Sequence, residues 1–156
     1  MGLCPSKSTG WQQGGGSESG FGAFRMEAAN AVVINTWIGV TTTGAFNDAA
    51  NWSLGHTPTA TEKIVASAAL TFTDAALSLA NLKSDVALQF NGTLTLIGTL
   101  KAPTVTIAAG GALLSEWGET PTIDGDLVVA GTMGANDGGV NYHVTCDLTV
   151  ATGGTL

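Results

Sequence analysis

Apolar and polar positions alternate in short runs along the last third of the chain, and the runs repeat. Thr104-Val-Thr-Ile-Ala-Ala-Gly-Gly-Ala-Leu113 returns as Asp126-Leu-Val-Val-Ala-Gly-Thr-Met133, and again as Asp147-Leu-Thr-Val-Ala-Thr-Gly-Gly-Thr-Leu156. Val105, Leu127 and Leu148 are equivalent positions, at offsets of 22 and 21 residues. A unit of about that length, β-branched and closed by Gly, marks a stacked repeat rather than a closed globule.

Each unit carries a Val/Ile/Leu/Thr run of period 2, which suits a strand with one buried face. The clearest alternation predicts a strand from Val140 to Val150, with Val140, Tyr142, Val144, Cys146, Leu148 and Val150 inward. Asn141, His143, Thr145, Asp147 and Thr149 then face outward. A helix would scatter the same apolar residues around its axis. Parallel strands coiled into rungs about 4.8 Å apart bury such units by stacking like on like. Val105, Leu127 and Leu148 are expected in one interior column, and Ile107, Val129 and Val150 in a second. Glycines 110, 111, 131, 153 and 154 fall where the coil turns a corner, and Gly permits positive φ there.

Upstream, strand runs are predicted at Lys63–Ala66, Leu70–Phe72, Leu77–Leu82, Val86–Phe90 and Leu94–Ile97, with a turn at Asn91-Gly92. The stretch from Thr73 to Leu79 also reads as the start of a short helix. From Glu62 to Leu156 there is room for about four to five rungs of ~21 residues. The fold class expected is all-β: a right-handed parallel β-helix, or β-solenoid, behind a flexible N-terminal arm. Three segments follow: a Gly/Ser-rich arm over 1–33, a Trp-containing capping module over 34–61, and solenoid repeats over 62–156. The arm contains Gly14-Gly-Gly-Ser-Glu-Ser-Gly20, which has too little apolar surface to order itself. Met26 is a second candidate for the natural start.

Composition sharpens this picture. Apolar residues make up 44% of the 156, enough for a core, while aromatics are 6% and charged residues 11%. Twenty-two glycines fit a fold with many turns. The net charge is −7, and after Lys101 there are six acids (Glu116, Glu119, Asp124, Asp126, Asp137 and Asp147) and no Lys or Arg. That end would repel a phosphate backbone, so nucleic-acid binding is disfavoured. No apolar run reaches membrane-spanning length. Two cysteines do not make a disulfide framework: Cys4 is in the arm, and Cys146 reads as a small buried hydrophobe on its strand.

The segment before the repeats carries Trp37-Ile-Gly39, then Asn51-Trp52-Ser53, then Gly55-His-Thr-Pro58, with Asp48 and Asn51 placed to bond local backbone. This pattern resembles the opening module of β-solenoid structural and surface proteins of bacteriophages and bacteria, including autotransporter-like repeats. The resemblance covers Asn35 to about Ala68. It implies a β-solenoid, and it is specific for architecture rather than for activity. Such modules usually place an Asp-x-Val pair after the Pro, and here Glu62 stands in the acid's position. Trp37 and Trp52 are expected to cover the open end of the first rung, since a bare β-edge invites pairing. Their alternative role is as aromatic platforms for a sugar.

None of the residues forms a recognised catalytic signature. His56 lies in a turn, and His143 is about 13 Å from Asp147 along one strand, too far for a dyad. Asp124 and Asp126 share an outer face, as carboxylates of polysaccharide-cleaving β-helices do, but no partner across a groove is evident. Asp126 and Asp147 should stack one rung apart, where like charges must splay or share a cation such as Ca²⁺. Hydrated, splayed carboxylates are the default, so no catalytic, cofactor or metal site is expected.

The function expected is non-enzymatic: a structural or adhesive component of a phage virion, such as a tail fibre, tail-associated or capsid decoration protein. The alternatives are a fragment of a bacterial surface adhesin or autotransporter passenger, and a β-helix polysaccharide-degrading enzyme. Its place would be the virion, or the extracellular or cell surface. Expected partners are a homo-oligomer such as a trimer, or further rungs of the same chain, because Gly153-Gly-Thr-Leu156 stops in mid-motif without a polar cap. A cell-surface glycan is a further candidate partner.

Overall fold

A computed structural model describes residues 31–135 and 141–156. The segment read as a flexible arm therefore lies almost wholly outside the described residues, and so does Cys4.

Among the described residues, fourteen short strands coil into a parallel β-solenoid of about four turns. A first, partial turn contains β1 (Val33–Thr36) and β2 (Thr43–Gly44). Complete turns follow: β3 (Glu62–Val65), β4 (Leu70–Phe72) and β5 (Ala76–Leu79); then β6 (Leu82–Ser84), β7 (Leu88–Phe90) and β8 (Thr93–Leu96). In the next two turns one long strand crosses the first corner: β9 (Thr99–Ile107) leads to β10 (Ala112–Ser115), and β11 (Thr122–Val129) to β12 (Thr132–Ala135). The last strands are β13 (His143–Val144) and β14 (Leu148–Val150).

Every ladder between these strands is parallel. Three faces result. The first stacks β1, β3, β6, the start of β9, the start of β11, and β13. The second stacks β2, β4, β7, the ends of β9 and β11, and β14. These two merge into one ten-stranded sheet because β9 and β11 span both. The third face is the separate sheet β5–β8–β10–β12.

The expected register holds: Val105 pairs with Leu127 and Leu127 with Leu148, while Ile107 pairs with Val129 and Val129 with Val150. The columns continue downward as Leu70–Leu88–Val105 and Phe72–Phe90–Ile107. A third-face column runs Leu77–Leu94–Leu113–Met133. All these interior residues up to Met133 are buried, as parallel stacking of apolar side chains requires. Burial fails only at the last rung, where Leu148 is 44% and Val150 42% exposed.

Several expectations need correction. Of the strand read over Val140–Val150, Val140 lies outside the described residues, and the rest is broken by a bend at Thr145 and Cys146 between β13 and β14. Its cause lies one rung below, where the ladder of β11 on β9 shifts register at Gly125. Gly125 has φ +149°, and a side chain there would collide with the carbonyl oxygen of Ala102. That corner is imposed on the rung above. Tyr142 and Val144 still pack on the core, but Cys146 is only half-buried and is not a free thiol, so it is not the inert core residue expected. The run read as Leu77–Leu82 is two strands on two faces, split by the corner at Ala80-Asn81. Where a helix was an alternative, Ala76–Leu79 is a strand.

The repeat length also differs along the stack. On the second face, successive equivalents of Phe72 are Phe90, Ile107, Val129 and Val150, at steps of 18, 17, 22 and 21 residues. The lower turns are short because β5–β6 and β8–β9 are joined by only two residues each. The same corner takes six residues between β10 and β11.

At the N-terminal end the Trp module closes the core. Trp37 and Trp52 meet edge to face at 5.0 Å, Phe46 packs against Trp52 and Phe72, and Phe72 against Phe90. Each indole N–H is satisfied, Trp37 by the Thr41 carbonyl and Trp52 by that of Phe46. Asp48 caps the short 3₁₀ turn Ala49–Asn51, the Asn51 amide donates to the Ala45 carbonyl, and Asp74 accepts the backbone N–H groups of Phe46 and Asn47. No helix among the described residues is long and apolar enough to cross a membrane.

Candidate binding cleft

The residues singled out in the sequence fall into structural roles. Trp37 and Trp52, 9% and 1% exposed, are core residues, and the sugar-platform reading of this pair is thereby overturned. The burial that stacks them on Phe72 removes the faces a sugar would need.

Glu62 does not sit on the surface where the acid of a turn would be placed. The parallel register puts it inside the coil, one step above Val33 and below Leu82. A buried carboxylate is costly unless it is hydrogen-bonded, and here it accepts from the Asn35 amide at 3.2 Å and the Thr59 backbone N–H at 3.1 Å. His56 closes the group, with Nε2 3.5 Å from the carboxylate. Asn35, itself fully buried, also donates to the His56 carbonyl and accepts from the Leu54 N–H. This cluster ties the 53–61 loop to the first complete turn. His56, read from the sequence only as a turn residue, thus has a carboxylate partner.

The carboxylates of the last turns also act between rungs. Asp124 accepts from Lys101 Nζ at 2.6 Å and from the Thr145 hydroxyl at 3.1 Å. Lys101 holds its carboxyl below the usual aspartate range, partly offset by desolvation. Asp126 accepts the backbone N–H of Asp147 at 3.3 Å, so the stacked pair is accommodated by a hydrogen bond to the upper rung. The register shift at Gly125 assigns Asp124 to the first face and Asp126 to the second, so they do not share a flat outer face as expected. His143 is exposed on β13. Lys63, Lys83 and Lys101 form one in-register outer column, relieved by ion pairs of Lys63 to Asp85 and Lys101 to Asp124, both 2.6 Å. Such exposed pairs contribute at most about 1 kcal/mol each.

A concave surface lies at the lengthened corner. The β10–β11 connection turns through Glu116-Trp-Gly-Glu119, closed by the Glu119 N–H on the Glu116 carbonyl at 3.2 Å and by Gly118 at φ +79°. It forms a cleft of about 190 Å³ with Ala135 and Asn141 of the next turn. Trp117 on its rim is 78% exposed, while Trp37, Trp52, Phe46, Phe72 and Phe90 are all buried. Glu116, Glu119, Thr120 and Asn141 supply polar groups around it. Beside the cleft, Tyr142 donates to the Gly134 carbonyl at 3.1 Å, tying the strand end before the upper connection to the residues after it.

Burial pushes the Tyr142 phenol up to about 12, partly offset by the Ser115 hydroxyl. Because the folded value lies above the unfolded one, the fold gains full stability from this group below pH ~10. That contribution is lost as pH rises through about 12. The chain has a single tyrosine, so absorbance at 295 nm reads Tyr142 alone. The expected midpoint is near 12, and a midpoint near 10 would mean that the ring is not packed against the core.

Trp117 and the Glu62 cluster were both missed in the sequence. The signal for Trp117 was present: aligning Leu94–Leu100 with Leu113–Ile123 exposes the insertion that holds it. Searches against protein-family models, curated proteins and solved structures returned no match to this chain.

Proposed function

We propose that the chain is a non-enzymatic, structural or adhesive β-solenoid of a phage virion. The carrying observation is how the interior columns behave. They run in register from Leu70 and Phe72 through Val105 and Ile107 to Leu127 and Val129, all buried. Stacked repeats of this kind present an extended outer surface, which suits a structural or adhesive role. Its surface carboxylates support the non-enzymatic reading: Asp124 and Asp126 spend their oxygens on neighbouring rungs. The resemblance of the Trp37–Pro58 module to phage and bacterial solenoids supports the virion setting.

Sequencing the flanking genes, followed by peptide mass spectrometry of particles purified from the source culture, tests this. Capsid and tail genes alongside, with peptides of this chain in the particle, are the expected result. A signal peptide and an outer-membrane translocator in the same reading frame would replace it with a bacterial surface adhesin.

A further inference from the structure

We propose that the cleft beside Trp117 binds a neutral oligosaccharide, with the indole stacking on the apolar face of a pyranose ring. Three observations converge on it.

The first is where the chain departs from its own repeat. Two residues suffice to turn this corner at β5–β6 and β8–β9, yet six are used between β10 and β11. Extra residues at a solenoid corner are not needed to close the coil, and insertions on one edge are where such folds carry recognition. The second is Trp117 itself. In a chain with only 6% aromatics, this indole stands in solvent at the tip of a tight turn fixed by Gly118. A rigid amphipathic ring presented this way gives large contact area at small entropic cost.

The third is the chemistry of the rim. Glu116 and Glu119 are hydrogen-bond acceptors, Thr120 is both donor and acceptor, and Asn141 offers an amide. Sugar hydroxyls satisfy all of these. No Lys or Arg lines the cleft, and none follows Lys101 in the chain. Two uncompensated carboxylates would repel uronate or sulfate groups, so the ligand class is neutral rather than acidic glycan. The proposal concerns what the rod touches and stands apart from the virion setting.

The test is a printed array of neutral and acidic glycans, followed by calorimetric titration of the best neutral oligosaccharide into wild type and Trp117→Ala. Saturable binding of a neutral glycan is expected, with Kd raised at least about tenfold in Trp117→Ala and partly restored in Trp117→Tyr. The melting temperature should be unchanged, because Trp117 is exposed. Equal affinity in Trp117→Ala, a preference for polyuronates or sulfated glycans, or no neutral glycan bound at all would each overturn the proposal. Binding of a protein surface alone through Trp117 would assign the cleft to protein recognition and overturn it too.

Discussion

Leu127→Asp is expected to cost about 4 kcal/mol or more, enough to leave much of the protein unfolded in dilute buffer. Leu127 is fully buried, with Val105 below it and Leu148 above it in one column. A carboxylate there loses the burial of a leucine and finds only apolar neighbours and backbone groups already paired in the ladder. The same change one rung higher, Leu148→Asp, should cost far less, because Leu148 is 44% exposed and its carboxylate would stay hydrated. His143→Ala, on the outer face, should lie within about 0.5 kcal/mol of wild type. Urea denaturation of the three variants measures these differences. Equal losses at Leu127 and Leu148 would mean that the terminal rung is as enclosed as the middle ones, and a large loss at His143 would invert the faces.

Gly131→Val is expected to be the second most damaging change, at about 3 kcal/mol or more. Gly92, Gly111, Gly131 and Gly154 follow one another at the corner between the second and third faces, and backbone of the preceding turn sits against each. A Cβ at Gly131 would penetrate the Gly111 carbonyl oxygen, so a whole rung would have to lift. Gly118→Ala makes the contrasting case. It has a positive φ but open space around it, and only the local backbone strain of about 1–2 kcal/mol applies. Thermal unfolding should rank Gly131→Val well below Gly118→Ala. The reverse order would show that turn conformation, not the contact between rungs, is what these glycines protect.

Much of the fold was legible in the sequence because the last three turns repeat at nearly constant length. Val105, Leu127 and Leu148 pair as their spacing implies, and period 2 identified the buried face of Thr104–Ile107 and Asp126–Val129. The lower turns were less legible. Their steps of 17 and 18 residues come from two-residue corners, and Leu, Phe and Ile replace one another within a column, so no motif recurs. The corners themselves leave little trace: Leu77–Leu82 reads as one apolar run although Leu79 and Leu82 belong to different faces.

Side-chain roles were hidden for a different reason. Glu62 is inward because of its register with Val33 and Leu82, a long-range fact that overrides its polarity once Asn35 and Thr59 satisfy it. Trp37 and Trp52 are buried, and their packing with Phe46 and Phe72 excludes the reading of them as platforms. Trp117 escaped notice because it belongs to no repeat. A residue outside the periodic pattern shows only as a difference in length between successive turns.

The central claim is that three parallel faces stack in the stated register, and methyl-labelled NMR tests it most directly. Contacts should pass in order along Leu70, Leu88, Val105, Leu127 and Leu148, and separately along Leu77, Leu94, Leu113 and Met133. Strong Hα–Hα contacts between neighbouring strands, the mark of antiparallel pairing, or methyl contacts that skip a rung would contradict it.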